Sequence, residues 1–164
     1  MNVAAVKECD IADGYGVRVG LYVSGCMRKC HGCHNLEAQD FNYGIPYTKE
    51  IHGKIIELVG KSYCSGLSIL GGEPMEIQNR ALVIALCKEV KARYPDKDIW
   101  MWTGYTYDEL LKDDTAKDIF TYIDYVVDGP FVEEKKDLSL RFCGSSNQRI
   151  LKLHPTVEEL PNHN

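Results

Sequence analysis

The run Val17 to Ser24, Val-Arg-Val-Gly-Leu-Tyr-Val-Ser, has the β-branched, alternating character of a strand, and it leads without a break into Gly25-Cys26-Met27-Arg28-Lys29-Cys30-His31-Gly32-Cys33-His34-Asn35. A fold built on this segment must therefore hang a cysteine-bearing loop from the C-terminal end of a strand. Soft thiolates at the spacing of Cys26, Cys30 and Cys33 suit an iron-sulfur cluster, and a cubane held by only three protein sulfurs keeps one iron open to another ligand. Other readings of the same residues stay open. His31 or His34 could complete a tetrahedral zinc site, and Cys64 or Cys143 could close a four-cysteine electron-transfer cluster. Disulfides fit less well, because the chain has seven cysteines and carries Lys7, Glu8, Asp10 and Asp13 where a secretory leader would need an apolar stretch. The cysteines read as reduced, and the location as cytoplasmic.

The rest of the chain alternates strand and helix signals. Thr48 caps a helix through about Val59, in which Ile51, Ile55 and Leu58 recur at helical spacing. Gly66 to Leu70 is a short buried strand ending in Gly71-Gly72-Glu73-Pro74. A long helix is predicted from about Asn79 to Tyr94, stopped by Pro95. Asp98 to Thr103 is a strand on which Trp100 and Trp102 read as packing residues, and Thr106 with Glu109 caps a helix reaching about Phe120. Tyr122 to Val127 is a further strand ending in Asp128-Gly129-Pro130-Phe131, Gln148 to Leu153 another, and Thr156 with Glu159 repeats the capping signal for a short terminal helix.

This order predicts an α/β domain with a mainly parallel sheet, too short for a complete barrel of about 250 residues, so an open sheet or a partial β/α barrel is expected. The 164 residues read as one domain, 1–164, with a frayed tail from about Leu160. In such folds ligands bind beyond the carboxyl ends of the strands, where the cysteine loop, Gly71 to Pro74, Thr103-Gly104 and Asp128 to Pro130 all fall. The two adjacent glycines let a bound molecule lie against the backbone, whose carbonyls from Leu70 to Pro74, with the Glu73 carboxylate, suit an ammonium group. Thr103 and Asp128 are candidates for a ligand's carboxylate, a cation or a ribose, with turn formation as their alternative role. A net charge of −5 with acids and bases interspersed offers no stripe for nucleic acid. No apolar run approaches the roughly 18 residues of a membrane span.

A C-x3-C-x2-C loop after the first predicted strand and Gly-Gly-Glu-Pro after the second resemble the radical S-adenosylmethionine superfamily. The resemblance implies a [4Fe-4S] cluster on Cys26, Cys30 and Cys33 and a shortened β/α barrel. It also implies S-adenosylmethionine held at Gly71, Gly72, Glu73 and Pro74, with its adenine against Gly32, Cys33 and His34. Asp13-Gly14-Tyr15-Gly16-Val17-Arg18, Trp102-Thr103-Gly104-Tyr105, Val127 to Phe131 and Gly144-Ser145-Ser146-Asn147-Gln148-Arg149 narrow the likeness. They look like the activating component of the anaerobic ribonucleotide reductase, over about residues 10 to 150. Tyr15 and His31 stand where that family usually has proline, and Gly32 where many of the superfamily have an aromatic residue.

The implied chemistry is one-electron reduction by a flavodoxin-type donor and cleavage of S-adenosylmethionine. Hydrogen is then abstracted from a glycine of the reductase's large catalytic subunit, with no catalytic acid or base. An activator of another glycyl-radical enzyme such as pyruvate formate-lyase is the nearest alternative, and a non-catalytic zinc or electron-transfer module the alternative of another class.

Overall fold

The computed structural model describes residues 1–163. It is an α/β fold around one mixed sheet of eight strands in the order β3-β1-β2-β4-β5-β6-β7-β8. The strands are β1 (Asn2–Asp10), β2 (Arg18–Val23), β3 (Ile45–Pro46), β4 (Gly66–Gly71), β5 (Asp98–Trp102), β6 (Tyr125–Asp128), β7 (Arg149–Lys152) and β8 (Glu158–Leu160). The central run β2-β4-β5-β6 is parallel, as the strand-helix alternation requires. The flanks β3-β1-β2 and β6-β7-β8 are antiparallel, so the sheet is mixed rather than mainly parallel.

The helices are α1 (Lys49–Val59), α2 (Ile77–Arg93) and the short α3 (Tyr107–Leu111). The Thr48 hydroxyl accepts from the Ile51 N–H, and Thr106 and Glu109 form the reciprocal capping box expected from their spacing. Ile55, Leu58 and Val59 of α1 and Val83, Leu86 and Val90 of α2 are buried with the β2, β4 and β5 side chains Leu21, Ile69 and Met101. Cys87 lies in this core, where burial pushes its thiol up. Trp100 is fully buried and stacks on Tyr125 with ring centroids 4.4 Å apart.

Three segments depart from the sequence reading. The helix expected to run from Thr106 to Phe120 stops at Leu111, and a 3-10 turn over Lys117–Thr121 replaces its second half. Between them the Asp113 carboxylate accepts from the backbone and hydroxyl of Thr115, a local bond that competes with helix continuation. Thr156 to Leu160 is not a helix: Glu158–Leu160 pairs antiparallel with β7, because so short a helix ending before Pro161 cannot match the ladder of an open strand edge. β1 was not anticipated, since Ala4, Ala5 and the charged Lys7, Glu8 and Asp10 break the apolar alternation; its pairing with β2 makes it a strand. Beyond β8 the Arg141 N–H donates to the Asn162 carbonyl at 2.7 Å, and Asn164, the end of the expected tail, lies outside the described residues.

Candidate functional site

The loop after β2 and the turn after β4 are sewn together by backbone. From the loop, the N–H groups of Gly25 and Cys26 donate to the carbonyls of Ala38 and Gln39 at 2.8 and 3.1 Å. From the turn, Gly72 and Glu73 donate to the carbonyls of Val23 and Gly25 at 2.7 and 2.9 Å. Asn79, the buried residue on the first turn of α2, bridges both with its side-chain amide, donating to the Ser24 and Glu73 carbonyls at 3.0 Å each. The Glu76 carboxylate accepts from the Met27 N–H at 2.7 Å. The start of the cysteine loop is thus fixed by parts distant in sequence.

These segments border a cavity of about 350 Å³ at the carboxyl ends of the parallel strands. Cys26, Cys30, Cys33 and His34 line it, and Gly71, Gly72, Glu73 and Thr103 complete the expected residues that reach it. Gly32, Pro74 and Asp128 do not line it. Gly32 turns toward Glu133, whose carboxylate also pairs with the exposed His31 at 2.5 Å. Pro74 is buried in the turn, and the Asp128 carboxylate is taken by Arg149 and the Tyr107 N–H.

The thiols of Cys26, Cys30 and Cys33 are half-buried and form no disulfide, though among the described residues no three ligating side chains converge as they would around a bound metal. Their chemistry nevertheless fits an iron-sulfur cluster, because three soft donors line one cavity. Burial pushes the Cys26 thiol up, and backbone hydrogen bonds from Arg28 and Lys29 oppose the shift. Cys64 is not available to close a cluster, because it is buried and its thiol donates to the Gly66 carbonyl at 3.3 Å. Cys143 does reach the cavity, with its thiol pushed up to about 11 by burial.

The glycines also meet a demand of the fold itself. A Cβ on Gly72 would come within 2.6 Å of the Ala38 carbonyl oxygen and 2.7 Å of that of Gly25. One on Gly71, whose φ is +110°, would meet the Val23 backbone. The protein's own backbone occupies the room that the missing side chains leave. Glu73 is likewise engaged internally: its carboxylate accepts from the Met75 N–H (2.9 Å), the Thr103 hydroxyl (2.7 Å) and the Gly104 N–H (2.7 Å). Complete burial pushes its carboxyl above the usual glutamate range, against the pull of those donors. Glu73 and Thr103 therefore join the ends of β4 and β5.

Several further residues reach the cavity or brace its wall. Trp102, read as packing, faces the cavity and donates its indole N–H to the Phe142 carbonyl at 2.8 Å. Gln148 accepts from the N–H groups of Gly144 and Ser145 and donates to the Gly129 carbonyl, and Asn147 donates to the Pro130 carbonyl. The 144–149 segment is thus a braced corner of the wall. Tyr22 and Asp13 also line the cavity, and the Tyr22 hydroxyl donates to both Asp10 and Asp13.

Within that trio burial works against the Asp10 carboxylate, yet the Ala12 N–H, Tyr22 and Lys7 hold it down at about 2. A carboxylate depressed on folding contributes stability above the usual aspartate value that is lost as pH falls from about 4 toward 2. Asp10→Asn is therefore expected to flatten the acid limb of the unfolding profile, measured as urea midpoints between pH 6 and pH 3.

With this geometry in place, the chain can be compared with known proteins. Residues 12–151 match the family model described as a 4Fe-4S single cluster domain, which spans every segment bordering the cavity. Among curated relatives, the anaerobic ribonucleoside-triphosphate reductase-activating protein of Vibrio cholerae is 42% identical over 152 residues, covering 92% of this chain and 97% of its own. Those of Pasteurella multocida and Escherichia coli are 38% and 39% identical, over 93% and 92% of this chain and 98% and 97% of theirs. The chain belongs to the family of anaerobic ribonucleoside-triphosphate reductase-activating proteins. Among the described residues no helix is long and apolar enough to cross a membrane.

Proposed function

We propose that this chain activates an anaerobic ribonucleotide reductase in the cytoplasm, as a shortened radical S-adenosylmethionine barrel that takes the reductase's large catalytic subunit as its substrate. The observation that carries the reading is the sharing of one cavity by Cys26, Cys30, Cys33 and the Gly71-Gly72 strand end. A [4Fe-4S] cluster held there by Cys26, Cys30 and Cys33 would supply, on one electron from a flavodoxin-type protein, the reductive cleavage of S-adenosylmethionine to methionine and a 5′-deoxyadenosyl radical able to take hydrogen from a glycine of the reductase.

The chain's own residues bind and position. Cys26, Cys30 and Cys33 hold the iron, and the bonds of Asn79 and Glu76 to the loop and turn keep those sulfurs at a fixed distance from the strand ends. The carbonyl edge from Gly71 to Pro74 receives the ammonium of S-adenosylmethionine, with Glu73 as the buried strut behind it. The backbone around Gly32, Cys33 and His34 borders the adenine. Trp102 and Phe142 supply apolar wall that helps to exclude water from the cavity. No side chain is assigned a proton transfer.

The test is anaerobic mixing of reconstituted protein, S-adenosylmethionine, reductant and the candidate large subunit. A glycyl-radical doublet in the EPR spectrum with the reductase, and none with pyruvate formate-lyase, is expected. A doublet with the lyase alone, or a reconstituted protein holding zinc in place of iron, overturns the proposal.

A further inference from the structure

Among the described residues the buried carboxylates are those of Asp10, Glu73, Glu76 and Asp128, and the fold matches all but one of them. Asp10 pairs with Lys7 at 3.2 Å, Asp128 pairs with Arg149 at 2.5 Å, and Glu73 accepts from Met75, Thr103 and Gly104. Glu76, only 6% exposed, has no ion-pair partner among the described residues, and its carboxylate receives a single hydrogen bond, from the Met27 N–H at 2.7 Å. Capping does not explain it, because Glu76 stands at the N-cap of α2 yet its side chain makes no capping bond to that helix. Arg80, one turn further on, is bound instead to Asp113 and to the Met75 carbonyl. A buried charge left so nearly alone costs stability. This one is turned from its own helix toward the cysteine loop.

We propose that the Glu76 carboxylate holds the reduction potential of the metal centre low, an inference that rests on the function proposed above. The N–H that Glu76 binds belongs to Met27, next in the chain to Cys26, so the charge is anchored beside a thiolate ligand. Its field reaches that sulfur: burial pushes the Cys26 thiol up, and the charges of Glu73 and Glu76 push it the same way. Reduction adds one electron, drawn from the flavodoxin-type donor, to a centre already ringed by thiolates, and a fixed negative charge nearby opposes that addition directly. An electron held at lower potential passes more readily to the sulfonium of S-adenosylmethionine, whose carbon–sulfur bond it breaks. In this role Glu76 acts through its charge and needs no contact with iron or ligand.

The test is a mediated redox titration of the anaerobically reconstituted wild-type protein and of Glu76→Gln, without S-adenosylmethionine, followed by EPR of the reduced state. Glutamine keeps an oxygen for the Met27 N–H and removes the charge, which separates the field from the brace. At one fixed potential the ratio of reduced to oxidised protein is expected to rise about three- to tenfold in Glu76→Gln, tenfold being about 59 mV for a one-electron couple. Glu76→Asp, which keeps the charge, should stay within about twofold of wild type. Iron content reports whether each variant is intact. Should Glu76→Gln lose iron, Ile77→Lys serves: Ile77 is 77% exposed, so little packing is disturbed, and a cation next in the chain to the same carboxylate should give a smaller shift in the same direction. An iron-replete Glu76→Gln whose ratio rises less than about threefold, or in its place an Ile77→Lys with an unchanged ratio, overturns the assignment of Glu76 while leaving the proposed function standing. An equal rise in Glu76→Asp does the same. A wild-type protein that binds no iron overturns both.

Discussion

Anaerobic reconstitution of a Cys26→Ala variant is expected to leave almost no bound iron and no glycyl radical above background, whereas Cys9→Ser, an exposed thiol away from the cavity, should retain both. The loss should be near total, because two remaining thiolates cannot anchor a cubane and a metal site's binding energy depends on its complete donor set. Cys30→Ala and Cys33→Ala should behave alike. Iron analysis, visible absorption and EPR of the reduced protein check the result, and substantial iron retention in any of the three variants would assign the site to another donor set that includes Cys143.

The second large effect concerns stability. Glu73→Ala removes the acceptor for two backbone N–H groups and a buried hydroxyl, each costing about 1–3 kcal/mol when left unsatisfied, so a loss of about 3–5 kcal/mol is expected. That is a large share of the roughly 5–15 kcal/mol typical of a domain. Glu73→Gln should lose less, since its amide oxygen still accepts. Urea unfolding of the iron-free protein measures both. A Glu73→Ala variant with an unchanged midpoint would mean that the carboxylate acts on ligand rather than as a strut.

The pH dependence has a definite sign. Burial raises the folded-state value of Glu73, so between the ordinary glutamate range and that raised value the folded chain binds more protons than the unfolded one. This residue's contribution therefore falls as pH climbs through that window, and Glu73→Gln should remove the slope.

The β2, β4 and β5 strands and the helices α1 and α2 were legible in the sequence within two residues, because each has an apolar period or a cap that states its type locally. The capping box of Thr106 was also legible, but the length of its helix was not. Asp113 ends that helix by bonding to Thr115 and Arg80, and the contact with Arg80 joins residues far apart in the chain. β1 and β8 become strands through their neighbours, which no local pattern records.

The site divides in the same way. Cysteine spacing and the strand-end position of Gly71 and Gly72 pointed to segments that border one cavity. A second demand on the glycines was not legible, since the Val23, Gly25 and Ala38 backbone that crowds them comes from other parts of the chain. Asp128 illustrates the same limit: its position after a parallel strand suggested a ligand, but Arg149 on the adjacent antiparallel strand neutralises it. Asn79 is an ordinary residue type in an ordinary place, and only tertiary geometry sets it apart.

The outermost strands, β3 and β8, are two and three residues long, and Pro46 and Pro161 sit at their ends. A sheet whose borders stop so soon, with Glu158 and Glu159 on one of them, offers little ladder for another chain to extend. Such blunted margins resist the edge-to-edge stacking of copies into fibres.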